Sequence, residues 1–348
     1  MRATLLHAVR DIRVEDVPDP RILHPGDAVV RVIAACVCGS DLWPYRGVSP
    51  VEEPHRIGHE FVGTVEETGT DVWSVRPGDF VIAPFSISDN VCAHCRNGVQ
   101  TSCVNHAWWG SSDAAGPIDG GQGQAVRVPH ADGTLVPVRE AFEPSLVPGL
   151  LTLSDVMSTG HHAAFSGGVT EGSTVVVVGD GAVGLCAVIA ARRLGAIRII
   201  MMSRHPDRQK LALDFGATDL VTERGEEGAA RVTELLGGIG ADVTLECVGT
   251  KESMEQAVDC TRPGGRVGYV GATAGGSQMP IRKLFIRNVS VAGGVAPARR
   301  YIPELLPDVL SGEITPGRVF DLELPLEEAA EAYRAMDERR AVKVLLHP

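Results

Sequence analysis

The sequence predicts an α/β protein with a β-rich first part and a parallel, doubly wound sheet in its second part. Up to about residue 150, short apolar stretches alternate with proline and glycine turns, a rhythm typical of a barrel-like β domain. From about residue 151, fully apolar strands alternate with helices, which indicates a parallel sheet buried on both faces. A glycine-rich turn joins the first of these strands to its helix.

The strands expected in the first part are short and lie close together along the chain. The clearest are "DAVVRVIAA" (27–35), "GTVEETG" (63–69), "GDFVIAPF" (78–85) and "AVRVP" (125–129). Turns rich in proline and glycine separate them. We therefore expect a first domain over residues 1–150.

The second part begins with a predicted helix, "LTLSDVMSTGHHAAF" (151–165), and continues with strands and helices in alternation. Six strands are expected, at 173–178, 197–203, 219–221, 241–249, 265–271 and 288–294. They predict a second domain over 151–294. The last segment, 295–348, has helical pieces and ends in "AVKVLL", a strand expected to return to the first domain.

The bulk composition narrows the functional class. The 348 residues are 44% hydrophobic and 22% charged, with a formal net charge of -12, and no basic stripe points to nucleic acid. No apolar run reaches the about 18 residues that a membrane span needs, and no signal-peptide pattern is visible. Eight cysteines, partly clustered, suit metal binding in a reducing cytoplasm better than a disulfide scaffold.

The glycine-rich turn has the pattern G-x-G-x-x-G between a strand and a helix. Gly179 permits a tight turn, Gly181 lets the backbone approach a pyrophosphate, and Gly184 lets the helix pack against the strand. The turn residues Ala182 and Val183 belong to the same expected site. The alternative is a glycine turn with a structural role only, but the strand–helix context favours dinucleotide binding.

The end of the next strand bears on the choice of nicotinamide. NAD proteins place an acidic residue there, whereas this chain has Ser203 and Arg204, followed by Arg208. Guanidinium groups pair with a 2′-phosphate, so NADP(H) is favoured. NAD(H) stays possible if Arg204 stacks on adenine or is merely solvated. Three valines beyond later strands complete the expected cofactor-binding set: Val248, Val270 and Val295.

A cysteine cluster in the first domain has the spacing of a structural zinc site. Cys92 and Cys95 form C-x-x-C, and Cys103 follows. Asp89 repeats the spacing upstream and is the expected fourth ligand, with His94 as its competitor. The alternative is a loop of free or oxidised cysteines.

A second group of metal-ligating residue types lies in "CVCGSD" (36–41) and "GHEF" (58–61). Individually, each residue has an ordinary structural interpretation: a buried apolar cysteine, a turn serine, a polar pair at a strand start. Asp155, likewise, could cap the helix that follows it. Cys36, Cys186, Cys247 and Cys260 are expected to be packing residues.

Taken in order and spacing, "CVCGSD", "GHEFVGTV", the 89–103 cluster, "STGHHAA" and "VVVVGDGAVGLCAV" resemble the zinc-dependent alcohol dehydrogenases of the medium-chain dehydrogenase/reductase superfamily. The resemblance covers essentially the whole chain. It implies a GroES-like catalytic domain joined to a Rossmann domain with a six-stranded parallel sheet. It also implies two zinc ions per chain, one catalytic and one structural.

Residue by residue, the resemblance implies the following catalytic set. Cys38 and His59 match zinc ligands, and Asp155 stands where many relatives have the third ligand, a cysteine. Glu60 matches a carboxylate that can coordinate in place of water, and Asp41 a group that holds the His59 ring. Ser40 matches the hydroxyl that relays the substrate proton, and Thr159 a residue that contacts the nicotinamide.

The implied activity is hydride transfer between an alcohol, or an aldehyde or ketone in reverse, and NADP(H), with zinc as Lewis acid on the substrate oxygen. Trp43 stands where several relatives have a histidine that finishes the proton relay, so the outer part of the relay is expected to run through water or another group, with His55 as a candidate. Trp43, Trp108 and Trp109 are candidates for the substrate cleft or, alternatively, packing residues.

Three other functions compete with this one. They are an NAD-dependent alcohol or polyol dehydrogenase, a zinc-free reductase on the same scaffold, and a non-catalytic dinucleotide-binding protein. The last two predict loss of ligands that are present. A homodimer or homotetramer is expected, with "NVSVAGG" (288–294) as the pairing edge.

Overall fold

A computed structural model describes residues 1–51, 54–113, 116–273 and 279–348. The chain divides into two compact units. Unit 1 comprises Met1–Asp155 and Pro297–Pro348, and unit 2 comprises Val156–Ala296. Unit 1 therefore takes up both ends of the chain.

Strands occur throughout the chain and are numbered in order. They are β1 (Arg2–Ala8), β2 (Asp11–Asp16), β3 (Ala28–Cys36), β4 (His55–Arg56), β5 (Phe61–Thr68), β6 (Phe80–Ala83), β7 (Ser86–Ile87), β8 (Ala107–Trp108), β9 (Ser112–Asp113), β10 (Gly116–Pro117), β11 (Ala125–Val128), β12 (Val136–Pro137), β13 (Thr174–Val178), β14 (Arg198–Met202), β15 (Asp219–Val221), β16 (Ala241–Glu246), β17 (Thr261–Tyr269), β18 (Ser290–Gly293), β19 (Leu322–Pro325) and β20 (Val344–His347).

The longer helices are concentrated in unit 2 and the C-terminal segment. The α-helices are α1 (Leu42–Tyr45), α2 (Ala93–Arg96), α3 (Ala131–Thr134), α4 (Val147–Thr152), α5 (Val156–Gly167), α6 (Ala182–Arg193), α7 (Pro206–Phe215), α8 (Gly225–Leu235), α9 (Lys251–Cys260), α10 (Ile281–Arg287), α11 (Ala298–Leu310) and α12 (Ala329–Asp337). Short 3₁₀ turns occupy Gln100–Ser102, Pro144–Leu146, Pro316–Val319 and Leu326–Glu328. Of the helices in the described ranges, none has the length and apolarity needed to traverse a bilayer.

Unit 1 is built on a sheet in the order β12-β6-β5-β3-β20-β19, with β11 also pairing with β3. β20, from the last residues of the chain, pairs antiparallel with β3 through Leu345–Cys36 and Leu346–Ala35. One side of this unit packs around Phe61, Trp109 and Leu135. A second apolar cluster forms where α12, through Tyr333, meets Leu6 of β1.

Unit 2 contains a parallel sheet with, among its described residues, six strands in the order β15-β14-β13-β16-β17-β18. Val175, Val176 and Val177 in β13 are fully buried, as expected for a central strand covered by helices on both faces. The strand order reverses beside β13, which is the arrangement of doubly wound sheets. The predicted α/β fold class is confirmed.

One expected element differs. The helix predicted over 151–165 is interrupted at residues 153–155, so that α4 ends before Asp155 and α5 begins after it. The carbonyl of Ser154 accepts a hydrogen bond from the amide of Phe85 at 2.9 Å, which replaces an intrahelical bond with a tertiary one. The interruption puts the carboxylate of Asp155 in a turn.

Candidate active site and metal centres

Three separate segments of unit 1 bring metal-ligating side chains to one place. Cys38 follows the end of β3, and His59 and Glu60 immediately precede β5, the neighbour of β3. Asp155 occupies the turn after α4. The register of β3 with β5 pairs Ala35 with Phe61, so the ends that carry these side chains meet at one edge of the sheet.

The four donors form a compact cluster. One ligand atom from each of Cys38, His59, Glu60 and Asp155 lies within 4.8 Å of the others. Oδ2 of Asp155 is 3.5 Å from Sγ of Cys38 and 3.5 Å from Nε2 of His59. Apart from His59, whose side chain is 18% exposed, these residues are buried.

The ring of His59 is oriented by Asp41. Nδ1 of His59 donates to Oδ1 of Asp41 at 3.1 Å, which leaves Nε2 facing the other donors. Oδ2 of Asp41 accepts from the amide of Cys38 at 3.0 Å and from Nε2 of Gln122 at 3.4 Å. The hydroxyl of Tyr333 donates to Oε1 of Gln122 at 3.1 Å. Gln122 and Tyr333 therefore support the site, and the sequence did not single them out.

The pKa values of the cluster are shifted by burial and by the close approach of several acidic groups. Burial, together with the carboxylate of Asp155, raises the pKa of the Cys38 thiol. Burial alone would lower the pKa of His59, but Asp41 and Cys38 outweigh it and raise that pKa. A cation bound among these donors would allow the thiol of Cys38 and the carboxyl of Asp155 to be ionised at the same time.

Glu60 is held by a buried lysine. Nζ of Lys343, just before β20, lies 2.7 Å from Oε1 of Glu60 and also donates to the carbonyl of Val37 at 3.2 Å. Both side chains are at most 1% exposed. Among the described residues, Oε2 of Glu60 has no hydrogen-bond partner. The sequence prediction missed Lys343, which resembles an ordinary strand residue.

The donor set fits zinc. A thiol, an imidazole and a carboxylate are the ligand types that tetrahedral zinc takes, and three protein ligands with an open position characterise catalytic sites. The orphaned, buried Oε2 of Glu60 is a further anionic atom without a partner beside that position. Asp41 behind His59 supplies the outer hydrogen bond that such sites need.

Ser40 and Phe85 adjoin the cluster, and Trp108 packs on Phe85. The hydroxyl of Ser40 donates to Sγ of Cys38 at 3.3 Å, and the side chain is half-buried. The ring of Phe85 lies 6.4 Å from that of His59, edge to face, and Trp108 stacks on Phe85 at 6.1 Å. Trp108, 44% exposed, thus continues an aromatic wall from the cluster toward solvent. Phe85 was not among the predicted site residues.

The prediction that Trp109 lines the substrate cleft is wrong. Its indole N–H donates to the carbonyl of Pro84 at 2.9 Å, its ring packs edge to face on Phe61 at 4.9 Å, and it belongs to the core of unit 1. Trp108 is the last residue of β8 and 44% exposed, whereas Trp109 follows in a turn and is buried, so the two indoles have different environments. Trp43 in α1 is half-buried, and His55 in β4 is half-buried too.

The second candidate metal centre is in the 89–103 loop, which folds back on itself. Asp89, Cys92, Cys95 and Cys103 each offer a ligand atom within 4.8 Å of the others. Oδ1 of Asp89 accepts from the amides of Val91 at 2.8 Å and Cys92 at 2.9 Å. His94, the competitor for the fourth position, is exposed and outside this group.

The thiols of the loop have unequal environments. Hydrogen bonding to the backbone of Cys95 contributes most to lowering the pKa of Cys92. Burial raises the pKa of both Cys95 and Cys103. Burial would raise the pKa of Asp89, but the amides of Cys92 and Val91 outweigh it and hold that pKa low. Three thiols with one ionised carboxylate suit a closed structural zinc site.

In unit 2 the glycine turn has the shape of a phosphate cradle. Gly179 has φ +112°, and a Cβ on Gly184 would lie 1.7 Å from the carbonyl oxygen of Gly179. A Cβ on Gly181 would meet nothing within 4 Å, so the backbone there faces open space. The amides at the start of α6, at Ala182 and Val183, point along the helix axis toward it. The turn fits a dinucleotide pyrophosphate.

An acidic side chain, that of Asp180, lies at the end of the predicted cofactor site where the ribose is expected. Oγ of Ser203 donates to Oδ2 of Asp180 at 2.7 Å, and Nη1 of Arg208 lies 3.3 Å from Oδ1 of Asp180. Arg208 is thus engaged by the protein itself. Arg204 is exposed, and no described residue forms a hydrogen bond or ion pair with its guanidinium.

The remaining predicted cofactor residues have different degrees of exposure. Thr159 is buried in α5. Val248, Val270 and Val295 follow β16, β17 and β18, so the parallel strands place them at one edge of the sheet. Val248 is 40% and Val295 55% exposed, while Val270 is half-buried. Cys247, expected in the core, is half-buried, because β16 ends at Glu246. Cys36, Cys186 and Cys260 are buried as expected.

Comparison with known proteins gives a consistent result. Residues 24–140 match the model of the alcohol dehydrogenase GroES-like domain, and residues 182–311 match that of zinc-binding dehydrogenases. The chain is 33% identical over 352 aligned positions to zinc-type alcohol dehydrogenase B of Aspergillus flavus, covering 99% of this chain and 81% of that protein.

Two solved structures are similar over the full length. Alcohol dehydrogenase TADH from Thermus sp. ATN1 superposes with a TM-score of 0.91 at 34% identity, covering 100% of this chain and 99% of that one. A protein from Sinorhizobium meliloti 1021, described as a zinc-binding dehydrogenase and bound to NADP, gives a TM-score of 0.82 at 29% identity, with coverage of 100% and 99%.

Proposed function

Since the chain belongs to the zinc-dependent alcohol dehydrogenases of the medium-chain dehydrogenase/reductase superfamily, and is therefore a zinc-dependent alcohol oxidoreductase, we propose that it interconverts alcohols and carbonyl compounds with NADP(H) as preferred cofactor. The observation that carries the proposal is the cluster of Cys38, His59 and Asp155, with Asp41 behind the imidazole. Its resident metal is zinc, and a second zinc belongs to the 89–103 loop.

Cys38, His59 and Asp155 would hold the catalytic zinc. Together they bring two negative charges and one neutral ring, which balances a dication and leaves a position for substrate. When bound, zinc supplies Lewis-acid stabilisation of negative charge on the substrate oxygen. Glu60 stands beside the same position as a carboxylate that Lys343 restrains at 2.7 Å.

The substrate proton leaves through Ser40. Its hydroxyl is next to Cys38 and half-buried, so it can accept a proton from an alcohol inside the site and pass it outward. Trp43 occupies the position of a relay histidine, and the outer part of the path therefore runs through water. A bound nicotinamide would supply the hydride acceptor or donor. Ser40→Ala is expected to lower kcat without loss of zinc.

The aromatic wall favours substrates with apolar bulk. Phe85 lies next to the ring of His59, Trp108 stacks on Phe85, and the two rings present mainly aromatic surface. Aliphatic or aromatic alcohols and aldehydes fit this surface better than polyols, whose hydroxyls would lose water without gaining partners. A polyol dehydrogenase is the less favoured alternative.

The preference for NADP(H) is supported by Arg204, an exposed guanidinium beyond β14 at the ribose end of the expected site. A free guanidinium can pair with a 2′-phosphate in two hydrogen bonds. The similar protein from Sinorhizobium meliloti 1021 is bound to NADP. NAD(H) use is the second candidate, favoured by the carboxylate of Asp180 beside Ser203.

A homo-oligomer formed through β18 is part of the proposal. β18 is an edge strand, and the neighbouring α10 exposes Ile281 and Phe285 at 71% and 83%. Light scattering should give a dimer or tetramer, and Phe285→Glu with Ile281→Glu should reduce its mass. A monomeric wild type would contradict this part.

The test of the activity is a screen of primary and secondary alcohols and aldehydes with both nicotinamides, followed at the absorbance of the reduced cofactor. We expect turnover with NADP+ exceeding that with NAD+, and its loss in His59→Ala. Turnover that survives His59→Ala undiminished would contradict the zinc-dependent mechanism. A preference for NAD+ would contradict the cofactor assignment alone.

A further inference from the structure

Two neighbouring strands of unit 2 end at the same edge and bring a serine and an aspartate together. β13 and β14 are parallel, and Val178 pairs with Met202 at their carboxyl ends. Ser203 directly follows Met202, and Asp180 lies two residues beyond Val178, inside the glycine turn. Ligands of doubly wound sheets bind beyond these carboxyl ends.

The carboxylate of Asp180 is positioned by two contacts. It accepts the hydroxyl hydrogen of Ser203 at 2.7 Å on Oδ2, and Nη1 of Arg208 lies 3.3 Å from Oδ1 and 3.4 Å from its backbone carbonyl. A carboxylate has about four acceptor sites, so these contacts leave capacity for a further donor. The side chain keeps 11% of its surface accessible.

Proteins that use NAD place an acid after the second strand, where it accepts the ribose 2′-hydroxyl. Here that position is Ser203, and the acid comes from the first turn instead. The hydrogen bond between Ser203 and Asp180 shows that the two positions occupy neighbouring space. Arg208 balances the charge of Asp180, so the exposed Arg204 is left to attract a 2′-phosphate.

We propose that Asp180 is a specificity-determining residue that accepts the ribose 2′-hydroxyl of NAD(H), so that the enzyme uses NAD(H) alongside NADP(H). The carboxylate of Asp180 accepts a hydrogen bond from the 2′-hydroxyl of NAD(H), and the guanidinium of Arg204 binds the 2′-phosphate of NADP(H). This inference rests on the proposed binding of nicotinamide dinucleotides in unit 2, but it does not depend on which of the two is preferred.

The experiment compares wild type with Asp180→Asn, Asp180→Ser and Arg204→Ala. Dissociation constants for NADH and NADPH are measured by cofactor fluorescence, and kcat/KM for NAD+ and NADP+ with one alcohol. Asp207→Asn is the matched control, because Asp207 is an exposed acid in the first turn of α7. Thermal unfolding of each variant shows whether it is folded, and the smaller Ser variant provides a second reading if Asn fails.

We expect Asp180→Asn to weaken NADH binding and lower kcat/KM for NAD+ about tenfold, since a charged acceptor is lost. NADP+ should be unaffected or improved. Arg204→Ala should do the opposite, and Asp207→Asn should change neither. An equal loss with both cofactors, or a loss confined to NADP+, would overturn the inference. Wild-type preference for NAD+ would contradict the proposed cofactor preference while leaving this role of Asp180 intact.

Discussion

Asp155 gives the catalytic cluster an oxygen donor where a second sulfur would otherwise stand. Its Oδ2 approaches both Cys38 and His59 at 3.5 Å, and the turn between α4 and α5 holds its backbone. A carboxylate is a harder ligand than a thiolate and donates less electron density to the metal. A zinc ion held by this set would therefore be a stronger Lewis acid than one bound by two thiolates.

Replacing Asp155 by Asn removes one of the two negative charges of the cluster at nearly constant volume. We expect kcat/KM to fall at least about 100-fold and one zinc per chain to be lost, because the neutral amide is a poor ligand. Atomic absorption and steady-state kinetics measure both. Glu143→Gln, an exposed acid ahead of α4, is the control. Full zinc content with full activity in Asp155→Asn would exclude Asp155 as a ligand.

Lys343 neutralises a carboxylate that has no access to water. Removing one partner of such a buried pair leaves the other uncompensated, so Lys343→Met should lower the free energy of unfolding by about 3–5 kcal/mol. Adding Glu60→Gln should restore much of the loss. Urea unfolding of wild type, Lys343→Met, Glu60→Gln and the double variant measures these free energies. Lys210→Met, at an exposed lysine, is the control. Equal stability of Lys343→Met and wild type would show that the ion pair contributes nothing.

The residues that the sequence did not reveal share one property. Gln122, Tyr333 and Lys343 reach the site from 81 to 306 residues away along the chain, to Asp41, Gln122 and Val37 respectively. No local spacing marks them, because they look like an ordinary loop, helix and strand residue. Cys38, His59 and Asp155 were predicted because the motifs around them, in their order along the chain, resemble those of a known family, whereas each residue alone has an ordinary structural interpretation.

At the scale of elements, the conformation of the 89–103 loop is expected to depend on the metal-ligating side chains that the loop itself contains. Its regular structure is limited to α2 and the 3₁₀ turn at Gln100–Ser102, and its valines Val91 and Val99 are exposed, so a metal is expected to define its conformation. Cys103→Ser should release one zinc and expose the loop to proteases, while the other zinc remains. Limited proteolysis and metal analysis test this, with the exposed Val104→Ser as control. Retention of both zinc ions would contradict a ligand role for Cys103.

The pairing of β14 with β15 includes an ion pair whose contribution depends on pH. A hydrogen bond from Arg198 is the largest cause that lowers the pKa of Asp219 below 3.8. Its stabilisation is therefore present above about pH 4 and is lost as pH falls through the folded-state pKa. We expect Asp219→Asn to lower the free energy of unfolding at pH 6 by about 1 kcal/mol or less, because water screens the pair.

The difference between Asp219→Asn and wild type should shrink as pH falls from 6 to 3. Urea unfolding at several pH values measures it, and the exposed Glu226→Gln is the control. A difference that grows toward low pH would show that the pair does not act through the ionised carboxylate.

The elements themselves were largely predictable, because apolar strands and helices alternate with clear turns in unit 2. The interrupted helix at 153–155 was not, since its residues have no helix breaker. A tertiary hydrogen bond from the amide of Phe85 to Ser154 ends α4 there. Trp108 and Trp109 are likewise neighbours of the same residue type, and only their burial in the folded protein separates the exposed Trp108 from the core residue Trp109.

At the scale of the whole molecule, the chain combines a metal-binding unit closed by its own C-terminal strand with a dinucleotide-binding unit. The last strand, β20, pairs with β3, and Lys343 just before it reaches Glu60. Loss of the last eight residues would therefore disturb the catalytic cluster as well as the sheet. The C-terminal segment therefore contributes to the site through Lys343.

The central claim is a zinc ion held by Cys38, His59 and Asp155, and anomalous scattering from crystals of the zinc-loaded protein tests it most directly. Data on either side of the zinc absorption edge should give one peak bounded by Sγ of Cys38, Nε2 of His59 and a carboxylate oxygen of Asp155. A second peak should lie among Asp89, Cys92, Cys95 and Cys103. Fully loaded protein with a peak only at the second position would contradict the claim.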